Sequence, residues 1–219
     1  MQKSYVLSYK IENILSKNGL CIKTLTFSTS AELSEIESVL TEREINEIGN
    51  FKSLKRKKEY YYTRVLWKSF EINQEINYNE FGKPFLLLGH ISITHGRNTV
   101  GISYSAENIV GIDIEHYSPK INLIKDKFIS EKDRALIDIN NTRDLTLTWS
   151  VKEAVYKMES TPGLSFKENI HVTIKPNNTH VAVRKGDYLH RYNFFFILFK
   201  EYVLTCCYEK DWSNKIQIE

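Results

Sequence analysis

The order of strand-like and helix-like segments constrains the fold of this 219-residue chain more than any other feature. Runs or alternations of apolar residues suited to strands occur in three stretches: 5–27, 85–115 and 170–209. Apolar residues with helical spacing occupy four other segments: 30–51, with Ser30 as the predicted N-cap, 52–72, 121–139 and 144–158. The chain therefore runs through strands, helices and strands, and then through helices and strands again.

This order predicts an α+β fold made of two α+β units in tandem. The change from one unit to the next falls in the polar stretch 106–108, which gives an N-terminal unit over 1–106 and a C-terminal unit over 107–219. No linker rich in proline or glycine lies between them. We therefore expect the two units to be in close contact.

Composition and charge argue against several classes of protein. Charged residues make up 26% of the chain and the net charge is +3, a weaker basic balance than most nucleic-acid binders show. Three cysteines form neither a disulfide framework nor a zinc-binding spacing. The N-terminal residues lack a signal-peptide core, and the longest apolar run, 194–199, is too short to span a bilayer. We expect a cytoplasmic protein without a membrane or nucleic-acid partner.

Two carboxylates lie in the segment NIVGIDIE, residues 108–115. Because side chains alternate along a strand, Asp113 and Glu115 share one face and the neighbouring isoleucines share the other. Their backbones would then be roughly 6.5–7 Å apart. Their repulsion would be only about 2–3 kcal/mol at an effective dielectric constant near 20, so this pair by itself favours a solvated strand face over a metal site.

The segment WSVKEAVYK, residues 149–157, carries a second set of reactive side chains. The predicted buried stripe of this helix consists of Leu147, Val151, Ala154, Val155 and Met158. Trp149, Glu153, Tyr156 and Lys157 fall on the opposite side. Glu153 and Lys157 are one turn apart and would form an ordinary surface ion pair on a solvated helix. Two large rings beside them favour instead the wall of a functional site.

A third carboxylate close to Asp113 and Glu115 would change the energetics of the strand pair. Three anions around one point are strongly unfavourable without a cation, and oxygen ligands suit a hard ion such as Mg²⁺. A lysine beside such a cluster supplies a point charge for a phosphate oxygen. The two motifs together therefore indicate phosphoryl-group chemistry.

The motifs GIDIE and WSVKEAVYK, in this order and at this separation, resemble the signature of 4′-phosphopantetheinyl transferases. They are most similar to the longer, surfactin-synthetase-activating type, in which one monomeric chain holds two similar α+β halves related by a pseudo-twofold axis. The resemblance implies an enzyme of the holo-acyl-carrier-protein synthase type. Such an enzyme moves the phosphopantetheine arm of coenzyme A onto a serine of an apo acyl or peptidyl carrier protein. It releases adenosine 3′,5′-bisphosphate.

The resemblance also assigns roles to residues. By position, Asp113, Glu115 and Glu153 would bind Mg²⁺, with Mn²⁺ as the other candidate metal. Glu153 would also act as the general base for the carrier serine, and Lys157 would contact the phosphates and assist the leaving group. Lys152 belongs to the same motif, and the resemblance gives it no clear role.

Similar segments upstream nominate four residues that would contact coenzyme A: Arg56, Arg64, Lys83 and His95. The two arginines lie in RKKEYYYTR, Lys83 lies in FGKPF and His95 lies in ISITHGR. The last segment departs from the family pattern, because Ser92 and Thr94 stand where Asn and Ser are usual. Both replacements carry a hydroxyl group.

Two other functions remain open. A Mg²⁺-dependent nuclease or phosphodiesterase also uses spaced acids, but it favours an acid-x-Lys strand motif over the spacing of Glu153 and Lys157. A non-catalytic protein that binds carriers could share the fold.

For the transferase, we expect the carrier to dock near the helix predicted at 121–137, with Lys125 and Lys127 facing acidic carrier residues.

Overall fold

The structure is a computed structural model that describes residues 9–28, 39–159, 163–175 and 178–209. Its strands are β1 Tyr9–Lys17, β2 Leu20–Phe27, β3 Asn77–Tyr78, β4 Pro84–Phe85, β5 His90–His95, β6 Thr99–Ser105, β7 Val110–His116, β8 Ile170–Lys175, β9 Asn178–Lys185, β10 Tyr188–Leu198 and β11 Tyr202–Glu209. Its helices are α1 Glu42–Gly49, α2 Leu54–Lys68, a 3₁₀ helix Pro119–Leu123, α3 Lys125–Phe128, α4 Glu131–Arg134 and α5 Thr142–Glu159. The predicted α+β class is confirmed.

The first half of the chain forms an antiparallel sheet in the order β1-β2-β6-β5. Asn18 and Gly19 connect β1 to β2 with positive φ angles of 51° and 81°, as a two-residue hairpin turn requires. Helix α2 begins after Ser53, whose side chain accepts a hydrogen bond from the backbone N–H of Arg56. Its central residues are buried in one apolar core with the inner face of this sheet.

The second half forms a five-stranded antiparallel sheet in the order β7-β11-β10-β9-β8. Helix α5 packs against it through the predicted stripe, and all five of these side chains are buried. Within the residues described, no helix has the length and apolar character needed to cross a membrane.

The two sheets meet where β7 lies against β5 and β6 of the first sheet. Leu20 and Ile22 of β2 share a core with Ile112 and Ile114 of β7, and β7 is buried on both faces from Val110 to Ile114. The chain leaves β6 and enters β7 through the turn at 106–108, where the sequence predicts the boundary between 1–106 and 107–219. That division into two units stays a prediction.

Three helix and strand predictions need correction. The segment 121–139 is not one helix, because Ile129 is extended and Ser130 starts a new helix by accepting a hydrogen bond from the backbone N–H of Asp133. The helix predicted at 30–51 is interrupted at Thr41, which caps α1 in the same way, and its predicted cap Ser30 lies outside the described residues. The strand predicted at 85–88 ends at Phe85.

Candidate active site

A cavity of about 660 Å³ opens between the two halves of the chain. The first half contributes Arg56, Lys83 and His95 to its lining, and the second half contributes Tyr156 and Lys157. A volume of this size suits a cofactor-sized ligand. The structure thus brings together three of the four residues predicted to contact coenzyme A, next to one residue predicted to be catalytic.

Arg64 is placed differently from the other three. Its side chain is buried, its Nε donates to Glu44 Oε1 at 2.8 Å and its Nη1 donates to Tyr78 Oη at 3.0 Å. The guanidinium also lies 4.0 Å from the centre of the Tyr60 ring. Arg64 therefore lies behind the cavity wall, where it orders Tyr60 and Tyr78, both of which line the cavity.

Asp113 is the most buried of the predicted acids, with 4% of its surface exposed. Its Oδ1 accepts hydrogen bonds from Lys157 Nζ at 2.8 Å and from Thr94 Oγ1 at 3.3 Å. Lys157 Nζ also donates to the carbonyl oxygen of Ile112 at 2.9 Å. Lys157 therefore joins α5 to β7 instead of forming the surface pair with Glu153 that an ordinary solvated helix would show.

The other oxygen of Asp113 has no partner in the part of the chain that the structure describes. Oδ2 is buried and has no hydrogen-bond partner among the described residues. Thr205 lies directly opposite Asp113 in the sheet, so their side chains share a face, and its buried hydroxyl also lacks a partner there. Such atoms are costly unless something pairs with them, which leaves a polar position that a cation or water can fill.

Glu115 lies two residues further along β7 on the same face. Its Oε1 accepts a hydrogen bond from Trp149 Nε1 at 3.1 Å. Burial raises the pKa of Glu115 to about 7, and the negative charges of Asp113 and Glu153 act in the same direction, against the Trp149 hydrogen bond and Lys157. The three predicted acids therefore lie near enough to affect each other electrostatically.

Glu153 reaches this group from α5. Burial raises its pKa, the charge of Asp113 adds to the effect, and Lys157 opposes it. Glu153 also lines a second groove, of about 490 Å³, together with Lys127, Trp149, Tyr156 and Phe166. Because Tyr156 lines both spaces, the second groove and the larger cavity are neighbours.

The donor set fits a hard divalent cation. Among the described residues, no group of three or more histidine, cysteine, aspartate or glutamate side chains is already arranged around one point to hold a metal. Even so, Asp113, Glu115 and Glu153 offer only oxygen atoms. One of these oxygens is buried with no partner within the described ranges, and burial raises the pKa of two of the carboxyls. A cation would favour the charged form of each, so the metal-binding set stays a prediction that the local electrostatics support.

His95 lies on the wall of the larger cavity, at the end of β5. Its Nε2 is 3.0 Å from Thr63 Oγ1. Burial lowers the pKa of His95 to about 4, and the positive charges of Arg56 and Lys157 lower it further. The imidazole is thus neutral at pH 7 in a region of positive potential, which attracts anionic groups such as phosphates.

Lys83 joins the β3–β4 hairpin to the end of the helix α5. Its Nζ donates to the carbonyl oxygen of Met158 at 3.1 Å. Burial lowers the pKa of Lys83, and the charge of Glu159 opposes this effect. Lys83 therefore holds the two halves together at the mouth of the cavity, in addition to its predicted contact with the ligand.

Two positioning contacts were not anticipated from the sequence. Ser92 Oγ accepts a hydrogen bond from the backbone N–H of Ile112, and Thr94 Oγ1 accepts one from that of Ile114, each at 3.1 Å. These hydroxyls join the edges of β5 and β7. The signal was present in the segment SIT, where one residue separates Ser92 from Thr94, so that the two hydroxyls share a strand face.

Comparison with known proteins gives one family match. Residues 109–207 match the family model described as the 4′-phosphopantetheinyl transferase superfamily. The matched region includes β7 and α5 and therefore Asp113, Glu115, Glu153 and Lys157. Among curated proteins, no sequence matches this chain.

Proposed function

We propose that this protein transfers the 4′-phosphopantetheine group of coenzyme A to a serine hydroxyl of an apo acyl or peptidyl carrier protein. The observation that carries the proposal is the meeting of Asp113, Glu153 and Lys157, all within the region that matches the superfamily model, beside a cavity lined by Arg56 and His95. The surfactin-synthetase-activating type and the monomeric state belong to this proposal, as does the cytoplasmic location.

Coenzyme A would bind in the larger cavity. Arg56, Lys83 and His95 would hold its phosphate groups, because the wall they form has positive potential and hydrogen-bond donors. Lys157 would turn from Asp113 to the pyrophosphate when the metal and substrate are present, since its ammonium is a compact point charge on a flexible stem.

The reaction forms one P–O bond, breaks one P–O bond and moves one proton. Glu153 accepts the proton of the carrier serine, whose oxygen then bonds to the β-phosphorus of coenzyme A. The bond from that phosphorus to the bridging oxygen breaks, and adenosine 3′,5′-bisphosphate leaves with the electron pair. Asp113, Glu115 and Glu153 would hold Mg²⁺, which when bound neutralises charge on the pyrophosphate oxygens. Lys157 stabilises the charge on the leaving phosphate.

The carrier would dock beside the second groove. Lys127 lines the groove next to Glu153, and Leu123, four residues earlier on the 3₁₀ helix, exposes 83% of its surface to a partner. Lys125 differs, because its Nζ donates to the carbonyl oxygen of Ile139 at 3.4 Å. We therefore expect K127E to raise the KM for the carrier more than K125E does. If K127E raised the KM for coenzyme A as much as the KM for the carrier, that result would argue against this docking surface.

The decisive experiment is intact-mass spectrometry of several apo carrier proteins incubated with this chain, coenzyme A and Mg²⁺. We expect a mass gain equal to one phosphopantetheine group, abolished by EDTA and by E153A. E12A is the matched control, since Glu12 pairs with Lys10 on the edge strand β1, outside the site. No gain with the folded protein, combined with retained carrier binding, would indicate the non-catalytic carrier binder. Hydrolysis of DNA or RNA would indicate the phosphodiesterase.

A further inference from the structure

Lys152 is next to Glu153 in the chain, yet its side chain is fully buried. Its Nζ donates to the carbonyl oxygens of Phe128 at 2.6 Å and Phe166 at 2.9 Å, and to Asp133 Oδ2 at 2.7 Å. An ammonium group has three donors, so all of its hydrogen-bonding capacity is used. Lys152 therefore cannot reach a substrate in this arrangement.

Asp133 extends this buried network to two further segments. It is 1% exposed, and its Oδ2 also accepts a hydrogen bond from the backbone N–H of Ser130 at 2.8 Å. Its Oδ1 accepts one from the backbone N–H of Val172 at 3.3 Å. The Lys152–Asp133 pair thus ties α5 to the start of α4, to the turn at 166 and to β8.

The two phenylalanines held by Lys152 also contact the active site. The ring centres of Phe128 and Phe166 each lie 5.1 Å from that of Trp149. The indole of Trp149 donates in turn to Glu115. A chain of contacts therefore runs from Lys152, through the backbone of both phenylalanines and their rings, to a carboxylate of the site.

Stability alone does not account for this arrangement. Removing two charges from water is expensive, and well-packed apolar side chains of similar size often replace a buried ion pair without loss of stability. What apolar side chains cannot do is fix two carbonyl groups in direction and distance. We therefore expect the network to contribute more to the positions of Phe128 and Phe166 than to the stability of the fold.

We propose that Lys152 is a positioning residue for Glu115, acting through the aromatic clamp that Phe128 and Phe166 form on Trp149. The inference rests on the proposed function only in treating Glu115 as a metal ligand. When a residue that orients a metal ligand is removed, the metal affinity typically falls by about 10–100-fold.

The test compares the wild type with the double variant K152M/D133N, which removes both charges and keeps, in the asparagine amide oxygen, an acceptor for one of the two backbone N–H groups of Ser130 and Val172. The first readout is the indole N–H resonance of Trp149, assigned by its loss in W149F. The indole of Trp67, which donates to the carbonyl oxygen of Gln74 at 2.7 Å, is the internal control. We expect the Trp149 resonance to move upfield and the Trp67 resonance to stay.

The second readout is the Mg²⁺ dependence of the transfer reaction. We expect the Mg²⁺ concentration for half-maximal rate to rise about tenfold with an unchanged KM for coenzyme A. V183A, which removes buried side-chain volume from the same half without touching the network, is the stability control and should leave the Mg²⁺ dependence unchanged. If the double variant does not fold, F166L, which leaves the buried ion pair intact and removes one ring of the clamp on Trp149, should give a smaller shift in the same direction.

Failure of the positioning role and failure of the proposed function give different results. An unmoved Trp149 resonance, or a Mg²⁺ dependence that changes no more than in V183A, would overturn the positioning role. If the wild type transfers nothing, the proposed function fails. The indole resonances, together with Mg²⁺ binding measured by calorimetry, then still decide whether Lys152 positions Glu115.

Discussion

Replacing Gly111 by alanine should push the helix α5 away from the strand β7, which carries Asp113 and Glu115. A Cβ atom at Gly111 would lie far inside van der Waals contact with the carbonyl oxygen of Ala154, and 2.7 Å from Met158 Cγ. Ordinary contact begins at 3.4 Å, so relief of the Met158 contact alone needs a retreat of about 0.7 Å. The carbonyl of Ala154 is backbone and cannot turn aside, so α5 itself must move.

The size of the effect follows from the contacts that this movement breaks. Overpacking a well-packed core costs about 1–3 kcal/mol in the free energy of unfolding. Lys157 Nζ lies 2.8 Å from Asp113 Oδ1 and 2.9 Å from the carbonyl oxygen of Ile112, so a retreat approaching 1 Å takes both bonds beyond 3.5 Å. A misplacement of about 1 Å can cost 100-fold in rate. We therefore expect G111A to fold and to lose about 100-fold in kcat.

Urea unfolding and the mass-spectrometric transfer assay measure the two effects. Gly49 provides the matched control, because a Cβ there meets no atom within 4 Å and the residue ends the helix α1. G49A should be neutral or more stable by up to about 1 kcal/mol, with wild-type activity. Wild-type stability and rate in G111A would refute the argument that β7 and α5 must approach this closely.

Three further predictions concern His95, the two arginines of α2 and Thr94. The pKa of His95 is lowered to about 4 from 6.5, so the unfolded chain takes up a proton first as the pH falls. His95 therefore contributes stability that is present above pH 6.5 and lost toward pH 4, and the melting temperature should fall less steeply across this range in H95Q. R56A should raise the KM for coenzyme A with little change in melting temperature, whereas R64A should lower the melting temperature because it leaves Glu44 without its buried partner. T94V, which orphans the N–H of Ile114, should cost about 1–3 kcal/mol in urea unfolding, and T94S should restore most of it.

The parts of the fold that follow a single periodic pattern could be predicted from the sequence. The alternation in NIVGIDIE correctly put Ile112 and Ile114 in a core and left Asp113 and Glu115 on the other face. The apolar stripe of 147–158 correctly predicted the buried face of α5. In both segments, local geometry alone decides which side chains share a face.

Predictions failed where a short capping signal competed with a longer periodic pattern. Thr41 with Glu44, and Ser130 with Asp133, form capping boxes in which side chains satisfy the first free N–H groups of a new helix. Both signals are visible in the sequence as TERE and SEKD. The apolar spacing continues across them, which is why one long helix was predicted in each place.

The contacts that position the site could not be predicted, because they join residues far apart in the chain. Thr94 and Asp113 are 19 residues apart, and Lys152 reaches Phe128 across 24. No pattern within a window of one helix or strand contains such pairs. Lysine is rarely buried without a partner, but the burial of Lys152 becomes visible only in the structure.

Asp113 shows why the site needs both halves of the chain. One of its oxygens is held by Thr94 from the first sheet and by Lys157 from α5, while the other is buried with no partner among the described residues. A buried acceptor without a partner costs about 1–3 kcal/mol, and more when it carries charge. Burial also raises the pKa of the neighbouring Glu115 and Glu153. These penalties fall on the three side chains assigned to the metal, so one divalent cation would relieve them all. That convergence favours a site that gives up local stability for chemistry over a surface that merely happens to be acidic.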